Sequence, residues 1–128
     1  MKKTIRSTLL VLMICCGISC DSLLKDDQVQ IRIQNISSFE YLDVRVNTNG
    51  GEQNYGSVQS NTFSEYKSFD LAYRYAFVEL KIDSDTFTLQ PIDYVGEEPL
   101  ESGNYTYVID ASEEGGKYER LSLVLLQD

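Results

Sequence analysis

The stretch Gln28-Val29-Gln30-Ile31-Arg32-Ile33-Gln34 alternates polar and β-branched residues without a break. Successive side chains of a strand point to opposite faces, so Val29, Ile31 and Ile33 share one face and the amides and Arg32 share the other. The spacing predicts a half-buried strand. Tyr41-Leu42-Asp43-Val44-Arg45-Val46-Asn47 repeats the device, with Leu42, Val44 and Val46 expected inward and Asn35 to Glu40 as the connection. Paired glycines in Thr48-Asn49-Gly50-Gly51-Glu52 accept positive φ and place a turn or loop there.

Downstream, Thr62 to Phe69 and Tyr73 to Ile82 are two further strand candidates. In the second, Val78, Leu80 and Ile82 occupy one parity and Tyr73, Tyr75 and Phe77 the other, which predicts a bulge or register change near Ala76. Asp83-Ser84, flanked by β-like residues, predicts a tight hairpin into Asp85-Thr86-Phe87-Thr88-Leu89. Residues 90 to 102, with Pro91, Gly96, Pro99 and several acids, have loop chemistry. Gly103 to Asp110 resumes as a strand with Tyr105, Tyr107 and Ile109 on one face, and Glu113 to Lys117 makes the next turn. The nearly continuous apolar run of Arg120 to Leu126 predicts a strand covered on both sides. About seven short strands with no helical period among them indicate an all-β, antiparallel β-sandwich of immunoglobulin-like or transthyretin-like topology. A small β-barrel is the alternative.

The first 27 residues have a different character. Lys2, Lys3 and Arg6 precede an apolar run, Leu9 to Ile18, that ends in Gly17-Ile18-Ser19-Cys20. As a helix that run would reach ~15 Å, about half of a hydrocarbon core, too short to span a membrane. A basic start, a short apolar run and a small residue before a cut is a secretory pattern. The junction at Ser19-Cys20 resembles the signal of bacterial lipoproteins, although Gly17 stands where the usual motif has an aliphatic residue. The resemblance implies a signal peptide over residues 1–19, a lipid anchor on Cys20 and attachment to a membrane. Lys25-Asp26-Asp27 is similar to the acidic export signal of Bacteroidota surface lipoproteins, which implies an outer-membrane, cell-surface location, with the periplasmic face as the alternative. Asp21-Ser22-Leu23 also resembles an O-glycosylation site of the same bacteria. Residues 20–27 then form a tether and residues 28–128 the folded domain.

Charge and residue inventory narrow the function. Three of the 11 basic residues lie in the leader, so residues 20–128 set eight of them against all 20 acids. Such a domain repels a phosphate backbone, which argues against a nucleic-acid partner. With no histidine, and with Cys15 and Cys16 in the leader and Cys20 acylated, neither a Ser-His-Asp triad nor a Cys-His pair can be assembled. No catalytic residue is assigned, and no cofactor or metal is expected, since zinc sites use imidazole or thiolate. The acids around Asp83 and Asp85, and at Asp93, Glu97, Glu98 and Glu101, lack EF-hand spacing for calcium.

Nine tyrosines and five phenylalanines remain, and Tyr73, Tyr75 and Tyr94 are the candidate ligand-binding residues. The expected function is a non-catalytic envelope lipoprotein whose sandwich is a binding or accessory module, with an envelope protein or a glycan as partner. The alternative is an inhibitor of a cationic lysozyme or host protease.

Overall fold

The computed structural model describes residues 28–91 and 93–128. The leader, Cys20 and Lys25, Asp26 and Asp27 lie outside the described residues. Eight strands follow in order: β1 (Val29–Asn35), β2 (Tyr41–Asn47), β3 (Glu52–Val58), β4 (Lys67–Phe69), β5 (Phe77–Ile82), β6 (Asp85–Leu89), β7 (Gly103–Ala111) and β8 (Leu121–Gln127). They form two four-stranded sheets, β4-β1-β7-β8 and β3-β2-β5-β6, packed face to face as a sandwich with no closed barrel.

One pair departs from the antiparallel expectation. β1 runs parallel to β7 in unbroken register from Val29 opposite Gly103 to Asn35 opposite Ile109. The first strand therefore neighbours the fourth and seventh, not the second, which rules out the ABED/CFG division of immunoglobulin domains.

The alternation in β1 holds, with Val29, Ile31, Ile33 and Asn35 buried and Gln30, Arg32 and Gln34 partly exposed. In β2 it fails at one point. Asp43 sits at φ 49°, the register shifts between Tyr41 and Arg45 against β3 and between Leu42 and Arg45 against β5, and the bulge turns Tyr41 rather than Leu42 into the core. β3 lies in a stretch with no clear alternation, where only Tyr55 and Val58 are buried. The third candidate strand shrinks to the three residues of β4, and β5 begins at Phe77, so the parity conflict upstream of Ala76 is resolved by leaving Tyr73 to Ala76 outside the ladder. The hairpin at Asp83-Ser84 forms with Ile82 opposite Asp85 and Asp83 at φ 57°.

β8 corrects another expectation. It is an edge strand with Val124 59% and Leu126 50% exposed, not one covered on both sides.

The core cluster is contributed by residues between Val29 and Leu121, so the domain from Gln28 onward carries its own core. Each buried Ile, Leu or Val contributes roughly 1.5–3 kcal/mol of transfer free energy. Three tyrosines add directional ties. Tyr41 on β2 donates its hydroxyl to the Ile109 carbonyl of the opposite sheet at 2.9 Å, and Tyr55 on β3 donates across to Ile31 at 2.7 Å. Tyr107 on β7 donates to the Tyr73 carbonyl at 2.6 Å, which fixes the entry to β5. A buried phenol keeps its ring in the apolar layer only if its hydroxyl finds an acceptor, and here main-chain carbonyls supply it.

Candidate functional site

The β2–β3 turn and the irregular segment after β6 form the walls of a cleft at one end of the sheet β3-β2-β5-β6. The turn is held close to the chain before β5. Thr48 Oγ1 donates to the Leu71 carbonyl at 2.6 Å, and a Cβ at Gly50 would lie 2.3 Å from Leu71 Cβ and 2.6 Å from its carbonyl oxygen. Only glycine permits that approach. The cleft, about 740 Å³, is lined by Arg45, Asn47, Asn49 and Glu52 on one side and by Tyr73, Phe77, Tyr94 and Asp93 on the other.

Arg45 is the fixed charge of the site. Its guanidinium contacts Glu52 and Glu79, each at 3.1 Å, and lies 5.6 Å from the centre of the Phe77 ring. Its five donors are only partly used by these partners, and the group stays partly exposed toward the cleft. Asn47 sets the turn by accepting from the Asn49 amide at 2.8 Å. Both amides and the Glu52 carboxylate line the opening.

Tyr73, Tyr75 and Tyr94 do come together. The rings of Tyr73 and Tyr94 are 4.7 Å apart at 30°, and those of Tyr75 and Tyr94 are 6.0 Å apart at 21°. They do not share one opening, however. Tyr73 and Tyr94 line the cleft beside Arg45, whereas Tyr75 lines a neighbouring hollow with Leu89, Pro91, Leu121 and Leu123. The Tyr75 hydroxyl donates to Glu97 at 2.7 Å. Burial, partly offset by a hydrogen bond with the Phe77 main chain, holds the Tyr94 phenol above its ordinary value. A neutral phenol beside an arginine and two amides makes the cleft a set of planar hydrogen-bonding groups next to an aromatic wall.

The polar wall escaped sequence reasoning because Arg45, Asn47 and Glu52 look like the ordinary solvent face of a strand and turn. The signal was the tight Thr48-to-Gly51 turn, which aims them at the tyrosines. Among the described residues, no three carboxylates gather into a group that could hold a metal ion. Among them also, no helix is long and apolar enough to cross a membrane.

No family model matches the chain, and no curated protein matches it. Among solved structures, it is similar to the NMR structure of a protein from Eubacterium rectale, with 16% sequence identity and a TM-score of 0.53. The match covers 85% of this chain and 93% of that one. At this identity the likeness is one of fold.

Proposed function

We propose that this chain is a non-catalytic, lipid-anchored binding module of the bacterial cell envelope, displayed through Cys20 and taking an extended glycan in the Tyr73–Tyr94 cleft. The observation that carries the ligand class is the pairing of Tyr73 and Tyr94, 4.7 Å apart, beside Arg45, Asn47, Asn49 and Glu52 in one opening. Sugars present alternating apolar C–H faces and hydroxyls. Aromatic faces take the former, and planar amide, carboxylate and guanidinium groups take the latter. The volume falls in the range of about 300–1,000 Å³ usual for ligand sites. The absence of histidine supports a binding role over a catalytic one, because the commonest general base is missing. The leader ending at Ser19-Cys20 and the acidic tether Lys25-Asp26-Asp27 support an anchored module at the outer face of the outer membrane.

Two measurements test the reading separately. Intact-mass analysis of the protein from its native host is expected to find residue 20 first and a diacylglycerol-sized addition on its sulfur; an unmodified thiol or another start site overturns the anchor. On a glycan array, the domain is expected to retain an oligosaccharide class, and Tyr94→Ala to weaken it roughly two- to tenfold, since stacking on one ring is worth about 0.5–1.5 kcal/mol. Retention unchanged in Tyr94→Ala, or no retention of any glycan, overturns the ligand class.

A further inference from the structure

Four strands border the two sheets: β4 and β8 in one, β3 and β6 in the other. An unpaired edge is a template for another strand, and proteins guard edges by shortness, bulges, charge or cover. Three of these edges are guarded. β4 has only three residues. β3 is irregular against β2 and carries Gly56 at φ 69°. β6 opens with Asp85 and is capped where the Thr88 amide donates to the Lys117 carbonyl at 2.9 Å.

β8 has no such guard within the strand, and Arg74 and Tyr75 stand beside its middle. Leu121-Ser122-Leu123-Val124-Leu125-Leu126-Gln127 is uncharged, free of proline and glycine, and pairs with β7 in unbroken register from Leu121 opposite Ala111 to Gln127 opposite Tyr105. An open groove of about 400 Å³, lined by Arg74, Tyr75, Leu123, Val124 and Leu125, runs beside it.

The direction of its backbone groups follows from its two ends. The Asp128 amide donates to Asn104, and the Arg120 carbonyl accepts from Ser112, each at 2.9 Å and each toward β7. In an antiparallel ladder, alternate residues turn both N–H and C=O to the same side. The even-numbered residues from 120 to 128 therefore face β7. Leu121, Leu123, Leu125 and Gln127 present their groups to the open edge, and among the described residues no further strand or loop backbone pairs with them.

We propose that this edge is occupied by a second copy of the chain: two β8 strands pair antiparallel about a twofold axis through Val124, joining two four-stranded sheets into one. With the axis there, Leu123 stands opposite Leu125 and Leu121 opposite Gln127, so every outward N–H and C=O of one copy meets a complementary group of the other. Moving the axis by one residue leaves part of the strand unpaired. On the outer face the two Val124 side chains meet, and Ser122 lies beside Leu126, covering the two most exposed aliphatic residues of the strand. The acidic surfaces of the two copies oppose approach, and since the Debye length is about 8 Å at physiological ionic strength and shortens with salt, added salt strengthens the pairing.

The domain from Gln28 onward, which carries its own core and no cysteine, suits the test. Sedimentation equilibrium is expected to give twice the monomer mass, favoured by salt. Val124→Lys sets two like charges on the axis, leaves the exposed position harmless to the monomer, and is expected to give single copies. Val124→Cys is expected to cross-link to itself under mild oxidation, because a non-hydrogen-bonded pair brings Cα atoms to about 4.5 Å, within disulfide range. Ser122→Cys and Leu126→Cys, each alone, are expected not to cross-link, although the two mixed together should. A wild-type domain that stays monomeric overturns the proposal and leaves the edge to a foreign strand. A dimer indifferent to Val124→Lys, or equal cross-linking at all three positions, overturns it by placing the interface elsewhere.

Discussion

Replacing Asn35 with alanine is expected to destabilise the domain by about 4 kcal/mol and to lower its melting temperature on the order of 20 °C. Asn35 is fully buried at the end of β1, where the chain leaves one sheet for the other. Its Nδ2 donates to the Phe39 carbonyl at 2.7 Å and to the Val58 carbonyl at 3.0 Å. Its Oδ1 accepts from the Ser37 amide at 2.9 Å and the Ser37 hydroxyl at 2.7 Å. One side chain thus satisfies main-chain groups of the β1–β2 connection and of β3. Alanine leaves a carbonyl at Val58 and an amide at Ser37 without partners in a dry site, each costing roughly 1–3 kcal/mol, and adds a small cavity. Asn35→Asp separates hydrogen bonding from volume. It keeps the shape and the acceptor for Ser37 but turns an oxygen toward two carbonyls, so it is expected to be at least as destabilising at neutral pH. Urea denaturation followed by circular dichroism measures both; a loss below about 1 kcal/mol for alanine, the ordinary size of a point substitution, would mean that water takes over these groups.

The same region shows why the sequence was legible in some elements and not in others. β1 could be read because its environment is uniform, one face in the core and the other partly wet, so the period of two appears unbroken in the residues. Asn35 continues that inward parity, yet as a polar residue it looked like the start of a loop. Its burial is decided by acceptors from Phe39 and Val58, residues that no local pattern places beside it. β2 changed parity at Asp43 because a bulge is a backbone event, and aspartate at positive φ looks like any solvent-facing acid. β3 was hidden for a related reason: with Gly56 at φ 69°, Tyr55 and Val58 both turn inward although they are three residues apart.

For β8 the composition was legible and its place was not. An apolar run marks either a strand buried on both faces or an unguarded edge, and only the strand order separates the two. In the candidate site, Tyr73, Tyr75 and Tyr94 were recognisable by type and do gather. Their polar counterparts come from a hairpin some twenty or more residues earlier, and what brings them near is the Thr48 to Leu71 hydrogen bond and the bare Cα of Gly50.

Alkali is expected to unfold the domain cooperatively between about pH 10 and 12, with stability nearly flat through the neutral range because the chain holds no histidine. The phenols of Tyr41, Tyr55 and Tyr107 are the cause. Burial pushes Tyr41 up to about 12. Burial raises Tyr55 further, with Tyr107 adding to it, and burial is also the largest cause of the rise at Tyr107. Each of these hydroxyls donates to a main-chain carbonyl, so ionisation would set a phenolate against a carbonyl oxygen in the core.

The sign follows from linkage. A tyrosine whose folded value lies above its unfolded value of about 10 contributes fully below pH 10, and that contribution is lost as pH rises through the folded value. Three such groups withdraw roughly 4 kcal/mol per pH unit above 10, which exhausts a total stability of about 5–15 kcal/mol within a few units. Absorbance at 295 nm, followed together with circular dichroism, should show part of the tyrosine signal rising only as the sheet signal falls. Tyr41→Phe gives the complementary result. It removes one ionisable group and one inter-sheet hydrogen bond, so it is expected to lower stability at pH 7 by about 1 kcal/mol and to make the loss above pH 10 shallower. A smooth titration of every tyrosine near pH 10 with the sheets intact would show that the three hydroxyls are open to water and do not tie one sheet to the other.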